Sequence, residues 1–184
     1  PTSLGHVLEI GAGPFTQSQS IATRYPETEI GAGKHMSSIT LVDPNAVHYA
    51  NKVRNCYYRR GYFGLIEKSI PLIVMNEAAE NLLVPSLETD KYDTIIMVNT
   101  IEHVYDALIV LAKAVAMLKL NGTLIWHERY WDKEDHLGLE RWKPEAKVNY
   151  VADREFQLHP IRIKNEIFDL VKSHFAPIYE NEHP

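Results

Sequence analysis

The chain has 184 residues, 45% of them hydrophobic and 23% charged, which is ordinary usage for one folded domain and excludes a disordered or collagen-like chain. A formal net charge of −5 argues against nucleic acid as the default partner, and a single cysteine, Cys56, excludes an internal disulfide framework or a multi-cysteine zinc site. No apolar run approaches the roughly 18 residues needed to span a bilayer. The first residue is Pro1 rather than Met and a strand-like run begins by His6, so the N-terminus reads as excised; no signal peptide is visible, and the compartment stays open.

Val7-Leu8-Glu9-Ile10 is the first of five short β-rich runs, followed by Gly11-Ala12-Gly13-Pro14-Phe15 and a polar helix start at Thr16-Gln17-Ser18. Residues 26–38, with Gly31-Ala32-Gly33 and Ser37-Ser38, read as a long loop. Ile39-Thr40-Leu41-Val42 is the second strand. It runs through Asp43-Pro44 into a helix whose stripe is Ala46, Ala50, Val53 and Tyr57. Leu72-Ile73-Val74-Met75 and Ile95-Ile96-Met97-Val98 are strands three and four. After Asn99-Thr100-Ile101-Glu102-His103, the spacing of Val104, Leu108, Leu111, Val115 and Leu118 predicts a helix with one apolar stripe. Asn121-Gly122 is expected to stop that helix and turn the chain into strand five, Thr123-Leu124-Ile125-Trp126. Residues 127–160, with Tyr130, Trp131 and Trp142, read as a substrate-side loop. Residues 161–184 hold a final helix (Ile163, Ile167, Leu170, Val171, Phe175) and a strand near Ile178-Tyr179.

Strands and helices in alternation, with near-continuous apolar strands, predict one α/β domain built on a doubly wound, mostly parallel sheet with each strand buried. Residues 1–126 form its ligand-binding core. In such a sheet, ligands bind outside the carboxyl ends of the strands. Here every strand delivers polar groups to that edge: Gly11 to Gly13 after strand one, Asp43 after two, Asn76-Glu77 after three, Asn99 to His103 after four, and His127-Glu128 after five. The glycine pair permits a tight turn and close approach of a ligand to the backbone. A dinucleotide fingerprint would want a third Gly where Thr16 stands and an acid about 20 residues on; Asp43 lies 30 residues beyond Gly13. Glu9, inside a buried strand, is costly unless paired.

Several stretches match one family in order. Val7-Leu8-Glu9-Ile10-Gly11-Ala12-Gly13 resembles motif I of class I S-adenosylmethionine-dependent methyltransferases, and Leu41-Val42-Asp43-Pro44 their second motif, whose acid holds the ribose hydroxyls. Ala79-Glu80-Asn81-Leu82 is similar to the adenine-side A-E-x-L segment. Tyr92-Asp93-Thr94-Ile95-Ile96, followed by Ile101-Glu102-His103-Val104-Tyr105-Asp106, resembles the signature of the ubiquinone/menaquinone-biosynthesis-like subgroup (methyltransferase type 11). Leu118-Lys119-Leu120-Asn121-Gly122-Thr123-Leu124 is similar to the family's L-K-P-G-G-x-L turn. The resemblance implies a Rossmann-like class I fold, S-adenosyl-L-methionine as cofactor, and methyl transfer to a small-molecule or sugar acceptor at oxygen. It implies that Gly11, Ala12 and Gly13 pass the methionine portion while Glu9 organises that loop. Asp43 with Pro44 would take the ribose, Glu77 and Ala78 would stand at the adenine, and Asn99 would face the sulfonium. Phe15 stands where the family has a third glycine, and Ala78 where an acid precedes A-E-x-L. N-terminal helices before motif I and room for a seventh strand are missing, so the chain reads as trimmed at both ends.

His103 and Glu102 are the candidate catalytic residues. An imidazole titrates near neutrality and suits removal of a proton from a hydroxyl acceptor, with Glu102 orienting it. The competing expectation has Glu102 capping the following helix and His103 packing. Some related enzymes bind a divalent ion through E-x-x-E-H; here Asn99 leaves N-x-x-E-H, one oxygen ligand short, and no metal is expected. His6, His35, His48, His174 and His183 are given surface or packing roles. Three other readings stay open. A nucleic-acid or RNA methyltransferase is disfavoured by the acidic balance, and a nicotinamide-dependent oxidoreductase by Thr16 and the distant acid. Phe15 and Ala78 motivate a non-catalytic interaction domain that keeps the fold.

Overall fold

A computed structural model describes residues 3–24, 36–53, 56–57, 70–87, 89, 91–128 and 165–176. Strands β1 (Gly5–Ile10), β2 (Met36–Val42), β3 (Leu72–Met75), β4 (Tyr92–Val98) and β5 (Leu118–His127) form one sheet in the order β3-β2-β1-β4-β5. Every pairing in it is parallel. Helices α1 (Gln17–Arg24), α2 (Ala46–Lys52), α3 (Ala107–Met117) and α4 (Asn165–His174) flank it, with short 3₁₀ turns at Ala79–Asn81 and Ile101–His103.

The period-two alternation of a strand sorts the apolar residues into two layers. Val7, Ile39, Leu41 and Ile96 face one side, where Ile21 of α1 and Ala46, Tyr49 and Ala50 of α2 pack. Leu8, Ile10, Val42, Ile95 and Met97 face the other, beneath Val110, Leu111 and Ala114 of α3 and Ile167 and Val171 of α4. Burial of each large aliphatic side chain contributes about 1.5–3 kcal/mol, and the central strands β1 and β4 hold most of the fully buried ones.

All five strand cores lie where the sequence puts them, but four local expectations are corrected. Among the described residues β3 is an edge strand paired with β2 alone, and Ile73 (55%) and Val74 (42%) are exposed rather than buried; four apolar residues in a row do not distinguish an interior strand from an edge. α3 buries Ala107, Val110, Leu111, Ala114 and Met117, leaving Leu108 and Val115 exposed. Its phase differs because Val104 precedes the helix and Leu118 already belongs to β5, so the two ends of the supposed stripe are not helical. Asn121-Gly122 does not stop the helix. The chain turns extended at Leu118, and Asn121 (φ 62°) lies in an irregularity where the register with β4 jumps from Leu118 to Thr123. Ser37 and Ser38 belong to β2 instead of a loop. The glycine-rich stretch 31–33, the loop beyond Glu128, and the strand near Ile178-Tyr179 lie outside the described residues.

Candidate functional site

Since the strands are parallel, their carboxyl ends share one edge, and the strand order reverses at β1, between β2 and β4. The glycine loop leaves β1 here. Gly11 N–H and Ala12 N–H both donate to the Val42 carbonyl, at 2.9 and 3.1 Å, which ties the loop to the end of β2. Gly11 and Gly13 both adopt left-handed backbone (φ 70° and 55°), for different reasons. A Cβ at Gly11 would lie 2.5 Å from Thr100 Oγ1, so this glycine lets β1 and β4 approach. A Cβ at Gly13 would meet nothing within 4 Å, so its backbone faces open space.

Glu9, 2% exposed, explains itself through α1. Its carboxylate accepts from Gln17 N–H (2.6 Å), Ser18 N–H (2.9 Å) and Ser18 Oγ–H (2.5 Å). Thr16 Oγ1 accepts from Gln19 N–H at 3.3 Å, so the otherwise orphaned donors of the first helical turn are satisfied. Burial raises the Glu9 pKa above its ordinary value, against the pull of the Ser18 and Gln17 hydrogen bonds. Glu9 thus fixes where α1 starts relative to β1.

Asp43 is buried to 8% exposure at the end of β2. Its Oδ2 accepts from Gly13 N–H at 3.0 Å and its Oδ1 from Asn45 N–H at 2.8 Å. Each oxygen retains acceptor capacity beyond that one backbone bond. Pro44 is exposed in the turn into α2. At the end of β3, Asn76 Oδ1 accepts from Val47 N–H (2.9 Å) and pins the start of α2. Glu77 Oε1 accepts from Ala78 N–H (3.1 Å) and Asn81 Nδ2–H (2.7 Å), and Ala78 enters the 3₁₀ turn. Beside Glu77 and Asn81 lies a cavity of about 350 Å³, otherwise lined by apolar side chains including Leu8, Leu82 and Met117 and by Tyr92. Glu80 reaches away from this edge: its Oε1 accepts from Tyr105 N–H at 2.6 Å and Asp106 N–H at 3.3 Å, bracing the approach to α3.

Beyond β4, Asn99 is exposed in left-handed backbone (φ 51°) and donates its N–H to the His127 carbonyl at 2.8 Å. Thr100 Oγ–H donates to the Ile10 carbonyl at 3.0 Å, joining this turn to the glycine loop. Glu128, one residue past β5, accepts from Thr100 N–H (2.9 and 3.1 Å) and Ile101 N–H (2.9 Å). Burial pushes the Glu128 carboxyl up to about 7, against the Ile101 and Thr100 N–H groups, and the nearby Glu102 charge adds to the rise. Glu102 is buried with its Oε1 3.9 Å from His103 Nε2, while the His103 side chain is 46% exposed. Asp106, not Glu102, caps α3, its Oδ1 accepting from Ile109 N–H at 3.0 Å. No group of three metal-ligating side chains occurs among the described residues.

Gly11 to Gly13 and Asp43 are therefore joined through main-chain and carboxylate bonds, Glu77 and Ala78 stand at the next strand end, and Asn99 and His103 belong to the β4 turn, which meets the glycine loop through Thr100. Asn76 and Glu128, which the sequence puts at this edge without assigning them a role, hold main-chain groups there, and Glu80 braces the approach to α3. Phe15 is half-exposed at the end of the glycine loop, its ring edge-on to Tyr57 with centroids 5.3 Å apart.

The strand order, the reversal at β1 and the helical layers define the class I methyltransferase fold. The chain is similar to the YcgJ protein of Bacillus subtilis (17% identity, TM-score 0.56), covering 93% of this chain and 61% of that one. It is similar to a candidate methyltransferase of Bacillus halodurans C-125 (14% identity, TM-score 0.53, 94% and 61% covered). It is also similar to the CurJ carbon methyltransferase (19% identity, TM-score 0.55, 99% and 45% covered). The chain thus spans between about half and three-fifths of these structures. No family model and no curated protein matches the sequence.

Proposed function

We propose that this chain is the cofactor-binding domain of an S-adenosylmethionine-dependent methyltransferase acting on a small-molecule or sugar acceptor at oxygen. One observation carries the reading: the Asp43 carboxylate, a ready acceptor for a ribose diol, holds the N–H of Gly13, whose backbone faces open space. A nucleoside joined to an amino-acid tail needs those two features side by side. Asp43 binds the hydroxyls, Gly11 to Gly13 admit the methionine portion, and Glu9 keeps the loop in place. Glu77 and the Ala78 main chain stand on the adenine side, with Asn99 towards the sulfonium. The cofactor supplies an already activated methyl group, so the protein's task is to align an acceptor and exclude water.

His103, half-exposed beyond β4, takes the acceptor's proton, and the Glu102 carboxylate, 3.9 Å from its Nε2, acts on the ring by charge and not by a hydrogen bond. A second reading, a non-catalytic interaction module, is favoured by Phe15, which puts an exposed aromatic ring where the resembled family has glycine. Calorimetry separates the two. The enzyme reading expects S-adenosylmethionine and S-adenosylhomocysteine to bind the chain, and Asp43→Ala to weaken both at least tenfold. Absence of binding at millimolar concentration would remove it.

A further inference from the structure

Glu128 is an acid at this edge that the cofactor roles leave unused, although it is buried with three close contacts to main-chain donors. It belongs to β5's end, yet its bonds go to Thr100 and Ile101, the two peptide groups that follow Asn99. Those N–H groups open the 3₁₀ turn Ile101–His103, where donors have no intrahelical partner. The Thr100 hydroxyl, held in turn on the Ile10 carbonyl, passes the same constraint to the start of the glycine loop, and Gly11 lacks a Cβ because Thr100 occupies that space. Asn99 itself is in left-handed backbone, which asparagine adopts more readily than other non-glycine residues. One side of Asn99 is fixed by its N–H bond to the His127 carbonyl, and the other by Glu128 acting on the next two residues.

We infer that Glu128 is the positioning residue of the methyl-transfer edge: reaching from β5, its carboxylate sets the turn Asn99–His103 and so aligns Asn99 and His103 with the glycine loop. Glu128 does not touch the cofactor in this scheme; it acts through the main chain it holds. The inference rests on the cofactor reading above for what the turn faces, whereas the clasp itself concerns this chain alone.

The test compares Glu128→Gln, Glu128→Asp and Glu128→Ala with the unmodified chain, by amide hydrogen exchange and by calorimetry with S-adenosylhomocysteine. Gln keeps an acceptor at the same reach, so exchange at Thr100 and Ile101 and product affinity should stay within about threefold. Ala removes the acceptor and Asp draws it back by one methylene. Both should speed exchange at Thr100 and Ile101 by at least tenfold and weaken S-adenosylhomocysteine to a similar degree, while exchange at Ser18, held by Glu9, is unchanged. If the Ala variant does not fold, the Asp variant carries the comparison. Unchanged exchange at Thr100 and Ile101 in a folded Asp or Ala variant overturns the clasp, as does failure of Gln to rescue. An unmodified chain that binds no S-adenosylhomocysteine removes the cofactor reading instead, and exchange alone then decides whether Glu128 holds the turn.

Discussion

The two halves of the strand-end edge are built differently. On the β1–β2 side Glu9 holds Gln17 and Ser18 within the same strand–turn–helix unit and Asp43 holds Asn45 two residues on, while the second Asp43 bond, to Gly13, reaches across from β2 to the glycine loop. On the β4–β5 side the turn Asn99–His103 is held by Glu128, from another strand. The first half combines short-range capping of α1 by Glu9 with main-chain and carboxylate bonds from the end of β2 to the glycine loop. The second depends on β4 and β5 being docked in register, since an error there would carry the carboxylate away from its donors. In the proposed reading the half holding Asp43 receives the cofactor, and the turn held by Glu128 is the part that meets the acceptor.

The largest effect that would sharpen this contrast is kinetic. His103→Gln should lower turnover on the true acceptor by about 10²–10⁴ with S-adenosylhomocysteine affinity unchanged; near-normal turnover in a folded variant would end the general-base role. Next comes the β1–β2 half. Glu9→Ala leaves the Ser18 N–H and hydroxyl buried without their acceptor and the Gln17 N–H without its partner, and should cost ~2–4 kcal/mol in urea unfolding. Gly11→Ala should be nearly as damaging, because its methyl would strike Thr100, whereas Gly13→Ala, with open space around it, should cost only ~1–2 kcal/mol for its left-handed backbone. If instead Gly13→Ala destabilised more than Gly11→Ala, the packing and ligand-facing roles of the two glycines would have to be exchanged.

Glu128 gives the remote half a pH signature. Its carboxyl lies at about 7 in the fold against an ordinary 4.5, so the folded chain keeps a proton that the unfolded chain has released. The stabilisation is complete below about pH 4.5 and is lost as pH rises through about 7, a change worth ~3 kcal/mol. Urea unfolding of the unmodified chain should therefore show stability falling over that window. Glu128→Gln, which has no proton to lose, should flatten the fall. An unchanged slope would place the titration elsewhere.

The same asymmetry explains what the sequence revealed. Glu9, Gly11 and Gly13 were legible because a strand, a turn and a helix start follow one another within a few residues, and Asp43 because it closes the next strand, although its bond to Gly13 forms only when β1 and β2 pair. The five strand cores were legible from local pattern too. Glu128 was placed after strand five and Glu80 in the A-E-x-L segment, but what they hold was not legible, because an acid after a strand or beside a 3₁₀ turn has no local partner to declare it. Their donors lie 27–28 and 25–26 residues away and meet them only once the sheet and α3 are assembled. The phase of α3 was misread in a related way. Leu108 and Val115 are as apolar as Val110 and Leu111, and only the start at Ala107, set by the Asp106 cap, decides which of them faces the sheet.

The central claim is that the β1–β2 end of the edge receives an adenosyl cofactor, and crystals of the chain grown with saturating S-adenosylhomocysteine test it most directly. The account predicts ligand density beside β1, with the ribose hydroxyls on the Asp43 carboxylate and the amino-acid tail along Gly11 to Gly13. Density elsewhere on the molecule, or none at this edge, would contradict it.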